Sequence, residues 1–341
     1  MTLGYEKISF LPAETLLEKM GNISSDFGID FYLKRDDLTP YGTGGNKLRK
    51  LEYLVKDAVA QGATMLLTVG GAQTNHGRLT ASAAARCGLK SAIIAVDEYP
   101  GEISANLLLD GIMGCHVYLV KPDSSKKYGD MLKNAINKVT SEYEEKGENV
   151  YFIPMGGSNE IGALGYYDCA LELKKQIDDM KLKQPHIVTT VGSLGTYTGL
   201  AMSIAHENID AKITGISIMP YRDIRESAFK HYLDCTEKFG LKPLLKKKDF
   251  NILTDYDCGA YNNPVKDVRE SIYYMGSREG IIFDPCYTGK TFNAIRRLMK
   301  KGYFAEDESV IMIHTGGLPG IYTKHHRLEM EKELMPQVHI I

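Results

Sequence analysis

The chain has 341 residues, 43% hydrophobic and 25% charged, with a formal net charge of −2. That is the make-up of a globular protein long enough for two domains. It supplies no global field for nucleic acid or an anionic membrane, and no apolar stretch reaches the roughly 18–20 residues of a membrane helix. The N-terminus lacks a charged-then-apolar secretory pattern. Six scattered cysteines without a C-x-x-C pair read as buried thiols of a reducing cytoplasm, with neither a disulfide frame nor a zinc site. Lys246-Lys247-Lys248 reads as a solvated face, and the adjacent His325-His326 as a helix surface pair.

In chain order, strands are expected at Met65–Val69, Ser91–Val96, Val117–Val120, Val150–Ile153, Ile187–Val191, Ile213–Ile218, Ile281–Phe283 and Val310–His314. Helical periodicity lies between most of them, as at Leu79–Cys87, Met131–Glu145, Leu164–Ile177 and Val265–Arg278. Such alternation predicts an α/β protein with parallel sheets covered on both faces. Residues 52–160 are expected to form a small α/β domain. Residues 1–51 and 161–341 then make a larger, discontinuous domain, with a cleft between the two.

The chemistry gathers in loops at strand ends, where open α/β sheets collect ligands. Lys47 sits in Gly44-Gly45-Asn46-Lys47-Leu48-Arg49-Lys50: the glycines permit a tight turn, and Leu48, Leu51, Leu54 and Val55 anchor the helix that follows. After the first strand comes Gly70-Gly71-Ala72-Gln73-Thr74-Asn75-His76-Gly77-Arg78. Helix capping by Thr74 or Asn75 explains one polar residue there but not five in succession, and the turn suits a carboxylate. Val191-Gly192-Ser193-Leu194-Gly195-Thr196-Tyr197-Thr198-Gly199 has the glycines and hydroxyls of a phosphate cradle at a helix N-terminus, and it is neither a dinucleotide fingerprint nor a P-loop. Two later loops, Asp284-Pro285-Cys286-Tyr287-Thr288-Gly289-Lys290 and His314-Thr315-Gly316-Gly317-Leu318-Pro319, offer hydroxyls at Tyr287, Thr288 and Thr315. Gly259-Ala260-Tyr261 offers another. Lys290 reads as a solvated residue of the next helix.

A lysine for a Schiff base, a phosphate-sized turn, a carboxylate turn and ring-facing hydroxyls form the set that pyridoxal phosphate needs. The chain resembles the D-cysteine desulfhydrase and 1-aminocyclopropane-1-carboxylate (ACC) deaminase family, pyridoxal-phosphate enzymes of the tryptophan-synthase β fold, also called fold type II. The likeness runs nearly end to end. It is carried by Lys34-Arg35-Asp36-Asp37, the run at 44–52, Gln73 to Arg78, Pro154 to Asn159, Gly162–Gly165, Gly192–Gly199, Asp284–Lys290 and Thr315–Pro319.

The resemblance implies two open, twisted, mostly parallel sheets with helices on both faces. It implies that Lys47 holds the cofactor covalently and moves protons, and that Asn75 faces its phenolic oxygen. Gly192, Ser193, Leu194, Gly195 and Thr196 would form the phosphate turn. Thr74 would stand for the family's serine near the substrate carboxylate, with Asn75, His76, Tyr261 and Tyr287 also close to the substrate. Thr288 and Thr315 form a desulfhydrase-like pair where ACC deaminases carry glutamate and leucine. Thr74 in place of serine and Leu194 in place of glycine depart from the family pattern.

The expected reaction is β-elimination from a small amino acid, D-cysteine giving pyruvate, ammonia and hydrogen sulfide, with a homodimer implied by the resemblance. The rivals are an L-cysteate sulfo-lyase, an ACC deaminase and, outside enzymes, an amino-acid-binding protein. No metal is expected.

Overall fold

A computed structural model of the chain describes residues 1–263 and 265–340. It opens with β1 (Leu17–Lys19), α1 (Gly21–Phe27) and β2 (Phe31–Lys34), followed by α2 (Lys47–Ala60). Next come β3 (Met65–Gly70), α3 (Asn75–Arg86), β4 (Lys90–Val96), α4 (Ala105–Ile112), β5 (His116–Val120), α5 (Tyr128–Glu144) and β6 (Val150–Ile153). The remainder is α6 (Glu160–Met180), β7 (Pro185–Val191), α7 (Gly195–His206), β8 (Lys212–Ser217), α8 (Ile224–Lys238), β9 (Ile252–Leu253), α9 (Lys266–Glu279), α10 (Thr288–Lys300), β10 (Ser309–Ile313) and α11 (Lys324–Leu334).

Two sheets result, as expected. One is four-stranded and parallel, in the order β5-β4-β3-β6; the other has six strands, β1-β2-β10-β7-β8-β9, with only β1 antiparallel. Every residue of β3, β7 and β10 is buried, as befits parallel strands covered on both faces. No helix among the described residues is long and apolar enough to cross a membrane.

The N-terminal strands β1 and β2 were not evident in the sequence, nor was the two-residue β9. Conversely, Ile281–Phe283 is not a strand. Both sides of β10 are already occupied by β2 and β7, so no neighbouring edge is free. Phe283 is buried for another reason: it packs edge-on against Phe292, in a cluster with Phe31.

The run Lys34 to Asp37 builds the floor beneath α2. Arg49 takes Asp36 in a two-pronged contact (Nε and Nη2, both 2.9 Å) and reaches Glu172 with Nη1 (2.8 Å). Tyr166 donates to the same Asp36, and Lys34 pairs with Glu172. Beside these charges Leu48, Leu51, Leu54 and Val55 are fully buried. The start of α2 is therefore fixed by both charge and packing.

Candidate active site

Lys47 is the first residue of α2, reached through a turn in which Gly44 adopts φ 74°; a side chain there would run into the carbonyl of Asp37. The Lys47 amine lies in the wall of a cavity of about 690 Å³ bordered by both sheets' strand ends. Its Nζ is 3.4 Å from Ser193 Oγ. Burial brings its pKa down from 10.5 to about 8. Lys50, one turn further on and fully buried, is held well below its ordinary value by burial and by the Lys47 charge.

Lys50 Nζ donates to the Gly156 carbonyl (3.1 Å) and Ser158 Oγ (3.2 Å). Ser158 Oγ in turn donates to Ser193 Oγ (3.0 Å) and accepts from Gly195 N (3.0 Å). Asn46 Nδ2 donates to Thr196 Oγ1 (3.1 Å), tying the start of α2 to the start of α7. Gly195 is glycine for space: a Cβ would lie 2.6 Å from Ser158 Oγ and 3.0 Å from Lys50 Nζ. Leu194 has φ 60° and ψ −42°, and Gly195 N bonds Ser193 O at 2.7 Å across it. This is a γ-turn of the rare, strained hand. The Leu194 side chain packs against the Tyr197–Phe250 cluster. Tyr221 donates to the Gly192 carbonyl and fastens the other end of the turn.

On the β3–α3 turn, Thr74 caps α3 by accepting from Gly77 N (3.3 Å). Asn75 and His76 line the cavity with it. Asn75 Oδ1 accepts from Asn106 Nδ2 (3.0 Å) and, more distantly, from Arg78 Nη2 (3.5 Å), which fixes the orientation of its side chain. Thr68 donates its proton to the Ile153 carbonyl (2.8 Å), so His76 Nε2 must be the donor in its 2.9 Å contact with Thr68 Oγ1. His76 Nδ1 is then a bare, unpartnered acceptor. Burial, aided by the two lysine charges, keeps this imidazole neutral. Arg78 points away from the cavity: it binds Asn106 Oδ1 (2.7 Å), Thr43 Oγ1 (2.9 Å) and the Gly44 carbonyl.

The facing wall comes from the 257–263 loop and the start of α10. The Tyr261 and Tyr287 hydroxyls meet at the cavity. Asp284 sets Tyr287 by accepting from the backbone N of Cys286, Tyr287 and Thr288 (2.9, 2.9 and 2.8 Å). Thr315 lines the cavity. Thr288 is set back from it, its hydroxyl proton committed to Asp284 Oδ1 (2.7 Å). Two expectations need correction. Lys290 is not solvated but fully buried, because three carbonyls enclose its ammonium. His326 is 2% exposed, packed on Asn262, and only His325 is at the surface.

From the sequence, Lys47, Thr74, Asn75, His76, Gly192 to Thr196, Tyr261, Tyr287, Thr288 and Thr315 are expected at one site; the fold brings these together except Thr288, whose hydroxyl is turned to Asp284 behind the cavity wall. Lys50, Ser158 and Tyr221 are additions that the structure makes to that set. The run Gly156-Gly157-Ser158 after β6 repeats the glycine-and-hydroxyl pattern of Gly192-Ser193, which was the available signal. Two amines on one helix turn, with hydroxyls and the N-terminus of α7 opposite, suit an aldehyde carrying an anionic tail.

These features define a pyridoxal-phosphate enzyme. A sequence profile described as "Pyridoxal-phosphate dependent enzyme" matches residues 8–316. A Pyrococcus abyssi protein provisionally named 1-aminocyclopropane-1-carboxylate deaminase is 37% identical over 327 residues, covering 96% of this chain and 95% of that one. D-cysteine desulfhydrase of Salmonella typhimurium is 33% identical over 333 residues, covering 94% and 97%. Among solved structures, an ACC deaminase homologue superposes with TM-score 0.85 at 33% identity, covering 98% of this chain and 97% of that one. The chain therefore belongs to the pyridoxal-phosphate-dependent enzymes, in the family of ACC deaminase and D-cysteine desulfhydrase.

Proposed function

We propose that the enzyme catalyses β-elimination from a small β-substituted amino acid, with D-cysteine and water giving pyruvate, ammonia and hydrogen sulfide. The observation that carries this reading is the character of the cavity wall. The carboxylate lining it is Asp97, and both its oxygens accept backbone N–H groups, from Ala72 and Glu98 (2.9 Å each). The groups left to face a ring nitrogen are neutral, Thr315 foremost. Bound pyridoxal phosphate supplies an electron-withdrawing ring for the charge left on Cα. A neutral partner makes that ring a moderate sink, adequate for expelling sulfide but poorly matched to opening an unactivated cyclopropane.

The chain's own residues supply the rest. Lys47, with its pKa near 8, exists partly as free amine near neutrality and serves as the base at Cα. Asn75 would orient the cofactor through its side-chain amide, while Ser193 and Thr196 would hold the phosphate, with Lys50 behind Ser158. Thr74 and the amides beside it receive the substrate carboxylate. The Tyr261–Tyr287 pair keeps one hydroxyl proton free for the departing sulfur. A sulfonate leaving group finds little cationic support, since Arg78 is turned toward Gly44 and His76 is neutral.

The names of the archaeal relatives favour ACC as a second reading. Assaying the holoenzyme with D-cysteine, L-cysteine, β-chloroalanine, L-cysteate and ACC separates them. Sulfide with pyruvate from D-cysteine is expected. Rapid 2-oxobutanoate from ACC without sulfide from D-cysteine would replace this reading with the second, and sulfite from L-cysteate would select a sulfo-lyase.

A further inference from the structure

Lys290 lies on α10, three residues beyond Tyr287, and no part of it is exposed. Its Nζ donates to three backbone carbonyls: Ile218 (2.8 Å), Asp257 (2.8 Å) and Ala260 (2.6 Å). Three acceptors around one nitrogen require three N–H groups, so the side chain is held as an ammonium. The carbonyls belong to separate pieces of the wall. Ile218 follows β8 and lines the cavity; Asp257 and Ala260 belong to the loop that ends in Tyr261. One side chain thus joins the helix bearing Tyr287, the loop bearing Tyr261 and the end of a central strand.

That loop needs an external anchor. Cys258, Gly259 and Asn262 all have positive φ (62°, 81° and 56°), so it has no helix or strand ladder of its own. The Tyr261 residue is 48% exposed although its hydroxyl meets that of Tyr287; side-chain packing alone does not fix it. A second tie comes from α11, where His326 Nε2 contacts Asn262 Oδ1 (2.7 Å) and His325 Nε2 the Asn262 carbonyl (3.0 Å).

We propose that Lys290 is a positioning residue, its ammonium clasping the 257–263 loop so that the Tyr261 hydroxyl is presented to Tyr287 at the substrate cavity. Its catalytic consequence rests on the lyase reading, in which Tyr261 stands beside the substrate. The clasp itself is independent of that reading, and the test has a separate arm for each.

In cofactor-free protein, Lys290→Met should speed amide hydrogen exchange across 257–263 by roughly tenfold or more, leaving the 192–199 turn unchanged. Unaltered exchange at 257–263, or an equal rise in both segments, overturns the clasp whatever the enzyme's substrate. In holoenzyme, kcat/KM for D-cysteine should fall by similar factors in Lys290→Met and Tyr261→Phe, and the double variant should be within about twofold of the worse single one. Multiplying losses would mean that Lys290 acts other than through Tyr261. Should Lys290→Met not fold, Lys290→Gln keeps two of the three N–H donors; a smaller rise in exchange confined to 257–263 is required of it, and unaltered exchange there overturns the clasp.

Discussion

Replacing Lys47 with methionine removes the proposed cofactor-binding amine, yet it should stabilise the cofactor-free protein near neutral pH. The folded chain lowers the pKa of this amine from 10.5 to about 8, chiefly through burial. At about 1.4 kcal/mol per pH unit, carrying the charge costs the fold at most about 3 kcal/mol. The cavity is open to water, which reduces the figure, so a gain of about 1–3 kcal/mol is expected for Lys47→Met near pH 7. The sign follows from proton uptake. Below about 8 both folded and unfolded chains are protonated, and the full cost is present. Between about 8 and 10.5 the unfolded chain binds more protons, so wild-type stability climbs with pH and the advantage of the variant shrinks. Urea unfolding of both cofactor-free proteins at about pH 7 and about pH 9.5 measures this, with the difference expected to fall by roughly half. A variant less stable at pH 7, or a difference unchanged at the higher pH, would refute the idea that Lys47 is held as a strained, desolvated amine.

Lys50→Gln removes the amine that holds Ser158 and Gly156 behind the proposed phosphate turn and should weaken pyridoxal-phosphate binding by roughly tenfold or more, read by absorbance titration of the cofactor-free protein. Arg49→Met leaves Asp36 and Glu172 without their shared guanidinium and should cost about 3–5 kcal/mol in urea unfolding. Thr74→Ala loses the cap on Gly77 N and about 1 kcal/mol of stability. Thr74→Ser keeps the hydroxyl and should retain both stability and turnover, as thermal unfolding and steady-state assays would show.

The legible parts of this protein are those whose role is settled within a few residues. Buried parallel strands such as Met65–Gly70 announce themselves as apolar runs. The turns at 73–76 and 192–196 show their purpose as glycines and hydroxyls between a strand and a helix. Ile281–Phe283 has the same apolar character as a strand, and only the occupied flanks of β10 reveal that it is packing instead. Single cations were the hardest to read, because their partners lie far away in sequence. Lys50 meets a carbonyl 106 residues on, and Lys290 meets one 72 residues back. Arg78 stands in the polar loop that suits a carboxylate, but the Gly44 carbonyl 34 residues earlier holds it. It thereby braces the turn that leads into Lys47. Local sequence told which loops carry chemistry, while the assignment of each charge to ligand or brace depended on the tertiary fold. For a lysine or arginine in this architecture, the deciding question is how many backbone carbonyls already claim its protons. Arg78, Lys290 and, through the Gly156 carbonyl, Lys50 are so claimed, and Lys47 is left as the amine that lines the cavity.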